Sequence, residues 1–151
     1  MSDKGQTARE YFKSGYNCAQ SVFLAFAQDL GFDKETAVKI SAGFGGGMGR
    51  LREVCGALSG SVMVLSMKYA CTDPKNFEEK KKLYSYVQQL AAEFREENGS
   101  IVCRELLGIS KAEKPVAQPE KRTESYYKKR PCADIVEAAA EITQKFLENN
   151  P

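Results

Sequence analysis

Four cysteines are the residues of this sequence best suited to chemistry, since a cysteine thiolate can bind a metal or attack a disulfide. They are Cys18, Cys55, Cys103 and Cys132. Because no CxxC pair occurs among them, only the tertiary fold can bring their sulfurs together. A fifth cysteine, Cys71, falls at the C-terminus of a predicted helix, where the helix dipole disfavours a thiolate. We therefore expect Cys71 to be inert and the other four to form the functional set.

The composition excludes several other kinds of site. The 151-residue chain contains no histidine, which rules out Ser-His-Asp catalysis, Cys-His dyads and histidine-ligated zinc within it. Its net charge of +2 and pI near 8.2 are too mild for a protein whose main partner is nucleic acid. No apolar run approaches the roughly 20 residues that span a bilayer, and the polar N-terminus lacks a secretory signal. We expect a cytoplasmic protein with reduced cysteines, no membrane insertion and no nucleic-acid partner.

The hydrophobic pattern predicts helices throughout the chain. Helical stretches are separated by glycines, and one of the clearest follows Cys132, where apolar residues recur every three or four positions. No alternating strand pattern is present, and the length suits one domain. We therefore predict an all-α fold, a compact bundle of six to seven helices in a single domain over residues 1–151. Residues 109–130 contain prolines and many basic residues without a helical period, so we expect a basic loop there.

Three of the four cysteines follow helix-start signals. A capping residue or a proline precedes each one: Asn17 before Cys18, Ser100 before Cys103 and Pro131 before Cys132. The first turn of a helix presents free N–H groups and a partial positive charge, so we expect thiolates to be favoured at these three positions. Cys55 lies in a helix predicted over about 52–70. The neighbouring Arg50 and Arg52 give it a second electropositive setting.

Glycines lie on both sides of Cys55. Gly56 and Gly60 are one helical turn apart in the string CGALSG, and with the small Ala57 they would let a cysteine-bearing helix or a ligand approach closely. Helix packing without chemistry is the alternative explanation. Before Cys55, the segment 43–49 reads GFGGGMG and matches neither a dinucleotide-binding nor a P-loop pattern. A flexible connection is the favoured interpretation of this segment, and a backbone nest for an anion or cofactor is the other.

The strings around the cysteines resemble a known family. The string CGALSG at Cys55 occurs with YNCAQSV at Cys18, IVCRELLG at Cys103 and RPCADIV at Cys132. Together, over about residues 8–146, they are similar to the C_GCAxxG_C_C family of small proteins regarded as redox-active. The chain departs from the family name by placing its cysteine before the glycine. The resemblance implies that the hallmark residues are the four cysteines with Gly56, Ala57 and Gly60, and that a prosthetic group such as an iron-sulfur cluster is suspected. It implies no defined substrate.

The sequence leaves three functions open. In the first, the four thiols form one or two dithiol-disulfide pairs that pass electrons to an unknown redox partner protein, as in a thiol-dependent oxidoreductase. In the second, the same four cysteines bind an iron-sulfur cluster or zinc. In the third, the cysteines are buried and inert in a helical interaction protein. We rank the three in that order. The first requires no cofactor, and a homo-oligomer is compatible with each of them.

Overall fold

The fold consists of helices joined by loops. The computed structural model describes residues 3–151, with α1 (Lys4–Lys13), α2 (Cys18–Ala27), α3 (Lys34–Ser41), α4 (Gly56–Tyr69), α5 (Phe77–Asn98), α6 (Cys103–Leu107), α7 (Glu124–Lys129) and α8 (Cys132–Asn149). A 3-10 turn, Ala42–Phe44, follows α3. Within these described residues no strand forms, and one isolated antiparallel bridge links Val54 with Val102. The predicted all-α, single-domain fold is confirmed.

Capping side chains fix several of the helix starts that the sequence indicates. Asn17 accepts a hydrogen bond from the Gln20 N–H while the Gln20 side chain accepts one from the Asn17 N–H, so α2 begins with a complete capping box. Asp33 caps α3 and Asn76 caps α5 by accepting from the third N–H of each helix. α5 ends at Gly99, whose φ of +95° suits glycine. These caps set where the chain leaves one helix and enters the next.

α2 is the central helix of the fold. Eight of its ten residues are buried, and it packs most extensively against α4 and α1. α8 packs against α1, α4 and α5 with the predicted stripe of buried residues Ile135, Ala139, Ile142 and Phe146. Burying a large apolar side chain stabilises the folded state by about 1.5–3 kcal/mol. The packing of this core therefore determines where the N-termini of α2 and α8 lie. No helix within residues 3–151 has the length and apolar character that crossing a membrane requires.

The helix count and one loop differ from the prediction. The described residues form eight α-helices rather than six to seven, because α7 lies inside the segment 109–130 that was expected to be a loop. Thr123 caps α7 by accepting a hydrogen bond from the Tyr126 N–H. Only Arg130 and Pro131 separate the end of α7 from Cys132, the first residue of α8. The short helix lacks a periodic apolar stripe, which is why the pattern did not reveal it.

Two helix starts also differ from the prediction. α4 begins at Gly56 rather than near Arg52, because the chain before it pairs with the residues that precede α6. Val102, rather than Ser100, occupies the N-cap position of α6. The Ser100 hydroxyl accepts a hydrogen bond from the Val102 N–H instead. Both corrections move a cysteine closer to the start of its helix.

Candidate functional site

The N-terminal ends of four helices meet around one small cavity. Cys18, Cys103 and Cys132 are the first residues of α2, α6 and α8, and Cys55 is the N-cap of α4. All four cysteines line the same cavity, which has a volume of about 70 Å³. The fold therefore brings together the four residues that the sequence analysis grouped. We call this space the cysteine cavity.

Glycines permit the close approach of α2 to α4. A Cβ atom on Gly56 would collide with Cys18 Sγ, and one on Gly60 would lie 2.7 Å from the carbonyl oxygen of Ala19. Ala57, between the two glycines, is fully buried. Any larger side chain at these glycines would separate the two helices. The helix that follows Cys55 thus packs directly against a second cysteine-bearing helix, and its small residues are occupied by that packing.

A short antiparallel pairing joins the start of α4 to the start of α6. The Cys55 N–H donates to the Ile101 carbonyl at 2.8 Å, and the Cys103 N–H donates to the Glu53 carbonyl at 2.6 Å. These two hydrogen bonds flank the isolated bridge between the same segments. The pairing holds the backbones of Cys55 and Cys103 side by side. Residues this far apart in sequence give no local signal of such a pairing.

The glycine-rich segment 43–49 is a hydrogen-bonded turn rather than the flexible connection that was the favoured interpretation. The Gly49 N–H donates to the Gly43 carbonyl at 2.8 Å, and the Arg52 N–H donates to the Gly46 carbonyl at 3.1 Å. The turn also contacts the cysteines. Gly46 lines the cavity that the four cysteines share.

Backbone conformation around this turn is unusual. Gly47 has a φ of +75°, and a Cβ atom there would lie 2.7 Å from Cys103 Cβ, so both the torsion and the space require glycine. Met48, Arg50 and Arg52 adopt φ values of 70°, 63° and 64°, in the left-handed region that non-glycine residues rarely occupy. Such conformations cost about 1–3 kcal/mol each and persist where the surrounding structure enforces them, commonly at functional sites. Here the turn leads directly to Arg52, which lines the cysteine cavity.

Burial raises the pKa of three of the cavity thiols. Loss of water is the dominant cause at Cys18, Cys55 and Cys132, and it raises the pKa of Cys132 to about 12. Backbone N–H groups, from Gly46 at Cys18 and from Ala57 at Cys55, oppose the shift but are weaker. The expectation that electropositive helix starts and arginines favour thiolates was therefore wrong for these three residues. Desolvation outweighs the hydrogen bonds that a helix start provides.

The cavity thiols also influence one another. A negative charge on Cys18 or Cys103 raises the pKa of both Cys55 and Cys132, and a charge on Cys103 raises the pKa of Cys18. Like charges have this effect only when the groups lie close together. A charge on one cavity thiol therefore disfavours ionisation of its neighbours.

Arginines surround the cysteine cavity. Arg52 Nη1 lies 3.8 Å from Cys103 Sγ, so its charge is beside this thiol rather than beside Cys55 as the sequence suggested. Arg122 and Arg130 line the same cavity from the segment that was expected to be a basic loop. No acidic side chain lines the cysteine cavity in the described part of the chain. The site thus combines four thiols with three guanidinium groups.

Arg122 is anchored by the residues around it. Its guanidinium donates to the Phe12 and Tyr16 carbonyls at 2.8 and 2.9 Å and lies 4.2 Å from the centre of the Phe12 ring. The ring of Tyr126, from α7, is 5.0 Å away and also lines the cavity. Arg122, Tyr126 and Arg130 were not among the site residues predicted from the sequence. The sequence feature that pointed to these three residues was the basic composition of the segment before Cys132.

Cys71 lies apart from this site. It follows the C-terminal end of α4, is exposed, and does not line the cysteine cavity. Asn76 Nδ2 is 3.8 Å from its sulfur. Its surroundings therefore contain neither the other thiols nor the arginines.

The number and placement of the cysteine side chains can be compared with the requirements of a metal site. Four thiols match the number of ligands that zinc or an iron-sulfur cluster requires. Across residues 3–151, however, no three cysteine, aspartate or glutamate side chains are placed so that they could hold a metal ion together. The side chains as they stand do not fit such a group.

These features define a small all-α protein with four cysteines converging on one cavity. The family described as "Putative redox-active protein (C_GCAxxG_C_C)" matches residues 16–146, and the chain belongs to this family. The resemblance inferred from the cysteine strings is thereby confirmed. An uncharacterized protein from Archaeoglobus fulgidus is 30% identical over 140 residues, which cover 88% of this chain and 85% of that protein. No solved structure matches the chain.

Proposed function

We propose that this protein is a cytoplasmic, thiol-dependent oxidoreductase that uses Cys18, Cys55, Cys103 and Cys132 as redox thiols. The main observation in its support is that these four cysteines, distant in sequence, line one cavity, whereas Cys71 does not. Membership of a family described as redox-active agrees with this function. Four inert core cysteines would have no physical reason to converge beside three arginines.

The proposed reaction is thiol-disulfide exchange with a redox partner. One cavity cysteine attacks a sulfur of the partner's disulfide, which forms a mixed disulfide and releases one partner sulfur as a thiol. A second cavity cysteine then attacks the cavity sulfur of the mixed disulfide, which forms an internal disulfide and releases the second partner thiol. The two cysteines lose two electrons and two protons, and the partner's two sulfurs gain them. The reverse sequence reduces the internal disulfide.

Cys103 is the proposed attacking residue. Arg52 places a guanidinium 3.8 Å from its sulfur, next to the atom that carries the negative charge during attack. Cys18 is the proposed second thiol, since its ionisation is coupled to that of Cys103, Cys55 and Cys132. Burial raises the pKa of Cys18, which disfavours its thiolate before Cys103 attacks.

A redox titration tests this function. The fully reduced protein, purified without air, is titrated with hydroxyethyl disulfide, its free thiols are counted, and its disulfides are located by mass spectrometry. We expect one or two internal disulfides among the four cavity cysteines, reversed by dithiothreitol, whereas the exposed Cys71 can form only a mixed disulfide with the reagent. Cys103→Ser should slow the formation of the internal disulfide, while the matched control Cys71→Ser should leave its rate unchanged.

Two results would contradict the proposal. The first is stoichiometric iron or zinc in the same preparation, with four thiols that react only after the metal is removed. This result would show that the four cysteines bind a metal. The second is a folded protein whose four cavity thiols never oxidise. This result would show that the cysteines are inert in a helical interaction protein. Circular dichroism on the titrated samples establishes that the fold persists.

A further inference from the structure

A second cavity, of about 260 Å³, adjoins the cysteine cavity. Arg52, Arg122 and Arg130 line both cavities, and Arg50 lines the second one. We call this second space the arginine pocket, defined by these four arginines. A molecule bound in the arginine pocket would therefore lie next to the four thiols.

The arginine pocket carries an excess of positive charge. Among its lining residues the four arginines face one acid, Glu120. Glu120 Oε1 lies 3.6 Å from Arg50 Nη2 and contacts Arg130 more closely. The side chains of Arg50 and Arg130 are only 20% and 18% exposed, so water screens their charges poorly. One carboxylate cannot balance this many partly buried cations.

Burial and the neighbouring cations both act on Arg50. Burial, together with the charges of Arg52 and Arg130, lowers the pKa of Arg50, and Glu120 only partly opposes this effect. A second anion would relieve the repulsion. Arginine is also the side chain best suited to this task, because its planar guanidinium can donate two parallel hydrogen bonds to a carboxylate or phosphate.

The backbone holds two of these arginines in place before any ligand binds. Arg50 and Arg52 both adopt left-handed φ values, which the hydrogen-bonded turn over 43–49 enforces. Arg122 is fixed by its hydrogen bonds to two backbone carbonyls. Preorganised donors bind more tightly because less conformational entropy is lost on binding. The pocket therefore has the charge and the rigidity of an anion site.

We propose that the arginine pocket binds the carboxylate or phosphate group of a small anionic disulfide and thereby presents the disulfide sulfurs to the cysteine cavity. This inference rests on the proposed redox function, for which it names the substrate class. The exchange is the one already described: the bound disulfide is reduced to two thiols, and two cavity cysteines are oxidised to one disulfide. Glu120 occupies the pocket of the free protein as an internal competitor, and the incoming anion displaces it from Arg50 and Arg130.

Binding is tested first with a ligand that cannot react. Adipate has the same length and charge as the disulfide dithiodiglycolate but carries two methylenes in place of the two sulfurs. Calorimetry should detect adipate binding to the wild-type protein, with 1,6-hexanediol as the uncharged control.

We expect Arg50→Gln to weaken binding roughly tenfold or more and Glu120→Gln to strengthen it. Arg95→Gln, which removes an exposed arginine of α5, is the matched charge control and should bind as the wild type does. Inorganic phosphate as a second probe decides whether a phosphate or a carboxylate is preferred.

The redox arm then compares dithiodiglycolate with the neutral hydroxyethyl disulfide. Intrinsic differences between the two reagents cancel when the ratio of their rates is compared across variants. We expect Arg50→Gln to lower the ratio of anionic to neutral rates roughly tenfold or more, Glu120→Gln to raise it, and Arg95→Gln to leave it unchanged.

The outcomes separate the two proposals. If both disulfides oxidise the cavity thiols but the ratio is the same in all variants and adipate does not bind, the anion site is wrong and the redox function stands. If adipate binds through Arg50 but neither disulfide reacts, the redox function and the substrate class fail together, and only an anion site remains. Weakened binding in a folded Arg50→Gln variant without any gain in Glu120→Gln would overturn the role of Glu120. Thermal unfolding of each variant verifies the fold.

Discussion

The two ends of α4 carry the same residue type in opposite surroundings. At the N-terminal end, Cys55 is buried, caps the helix and shares a cavity with three other thiols. Beyond the C-terminal end, Cys71 is exposed and its sulfur lies near a single amide, that of Asn76. The helix between them is the same, so the difference comes from what packs against each end. A cysteine in this protein gains its chemistry from neighbours that the fold supplies.

The comparison also shows which physical effect dominates at the N-terminal end. The helix start offers N–H groups to Cys55, yet burial raises the pKa of this thiol, because desolvation is the larger effect. Placement at a helix N-terminus therefore does not by itself produce a thiolate. It does bring four cysteines to the lining of one cavity, since the starts of four helices converge there.

The largest expected effect is a loss of stability in alkali. The pKa values of Cys18, Cys55 and Cys132 are raised in the folded protein, so above about pH 8.5 the unfolded chain loses thiol protons that the folded chain keeps. The unfolded state then binds fewer protons, and the free energy of unfolding falls as pH rises. Cys132, whose pKa is raised to about 12, contributes about 2 kcal/mol of this fall between pH 9 and 10.5.

Urea unfolding under reducing conditions measures this loss. Both proteins carry Cys71→Ser, and one also carries Cys132→Ser. We expect the second protein to lose about 2 kcal/mol less between pH 9 and 10.5. Equal losses would show that Cys132 is not held as a buried neutral thiol.

The second effect concerns the close packing of α2 against the N-terminal end of α4. Gly56→Ala places a Cβ atom against Cys18 Sγ and 2.8 Å from the Phe44 carbonyl oxygen, so we expect a destabilisation of about 1–3 kcal/mol despite the better helix propensity of alanine. Gly43→Ala is the control, since a Cβ atom there meets nothing within 4 Å. Urea denaturation compares the two. A Gly56→Ala protein as stable as Gly43→Ala would mean that α2 and α4 do not need this close approach.

The third effect is a difference in alkylation rate. Cys71 is exposed whereas Cys55 and Cys103 are buried, so iodoacetamide should modify Cys71 of the reduced, folded protein at least about tenfold faster than the cavity thiols. Peptide mapping of a time course identifies each modified residue. Cys71→Ser should remove the fast phase and leave the slow one. A cavity cysteine in the fast phase would contradict the burial described for this site.

The smallest effect is expected from Cys71→Ser itself. An exposed substitution away from caps and packing changes the free energy of unfolding by less than about 0.5 kcal/mol. The number of cavity disulfides formed in the redox titration should also stay the same. A changed disulfide count would place Cys71 in the redox set and remove the contrast between the two ends of α4.

The helical framework could be predicted from the sequence because its signals are local. Asn17 caps the helix that it was expected to cap, and the caps Asp33 and Asn76 and the terminating Gly99 depend equally on neighbouring residues. α7 was missed, since six residues without an apolar stripe carry little periodic signal. The start of α4 was misplaced, because the bridge between two distant segments overrides the helix propensity of the residues before Gly56.

At the candidate site, local sequence signals were enough to group four cysteines beside helix starts, with small residues after Cys55. The packed fold was needed to show that these cysteines share a cavity, that Arg122, Tyr126 and Arg130 line it too, and that burial raises the pKa of Cys132 to about 12. The reason is physical. Caps and glycine turns depend on a few neighbouring residues, whereas desolvation and charge coupling depend on every group that packs around a sulfur, and those groups come from all along the chain.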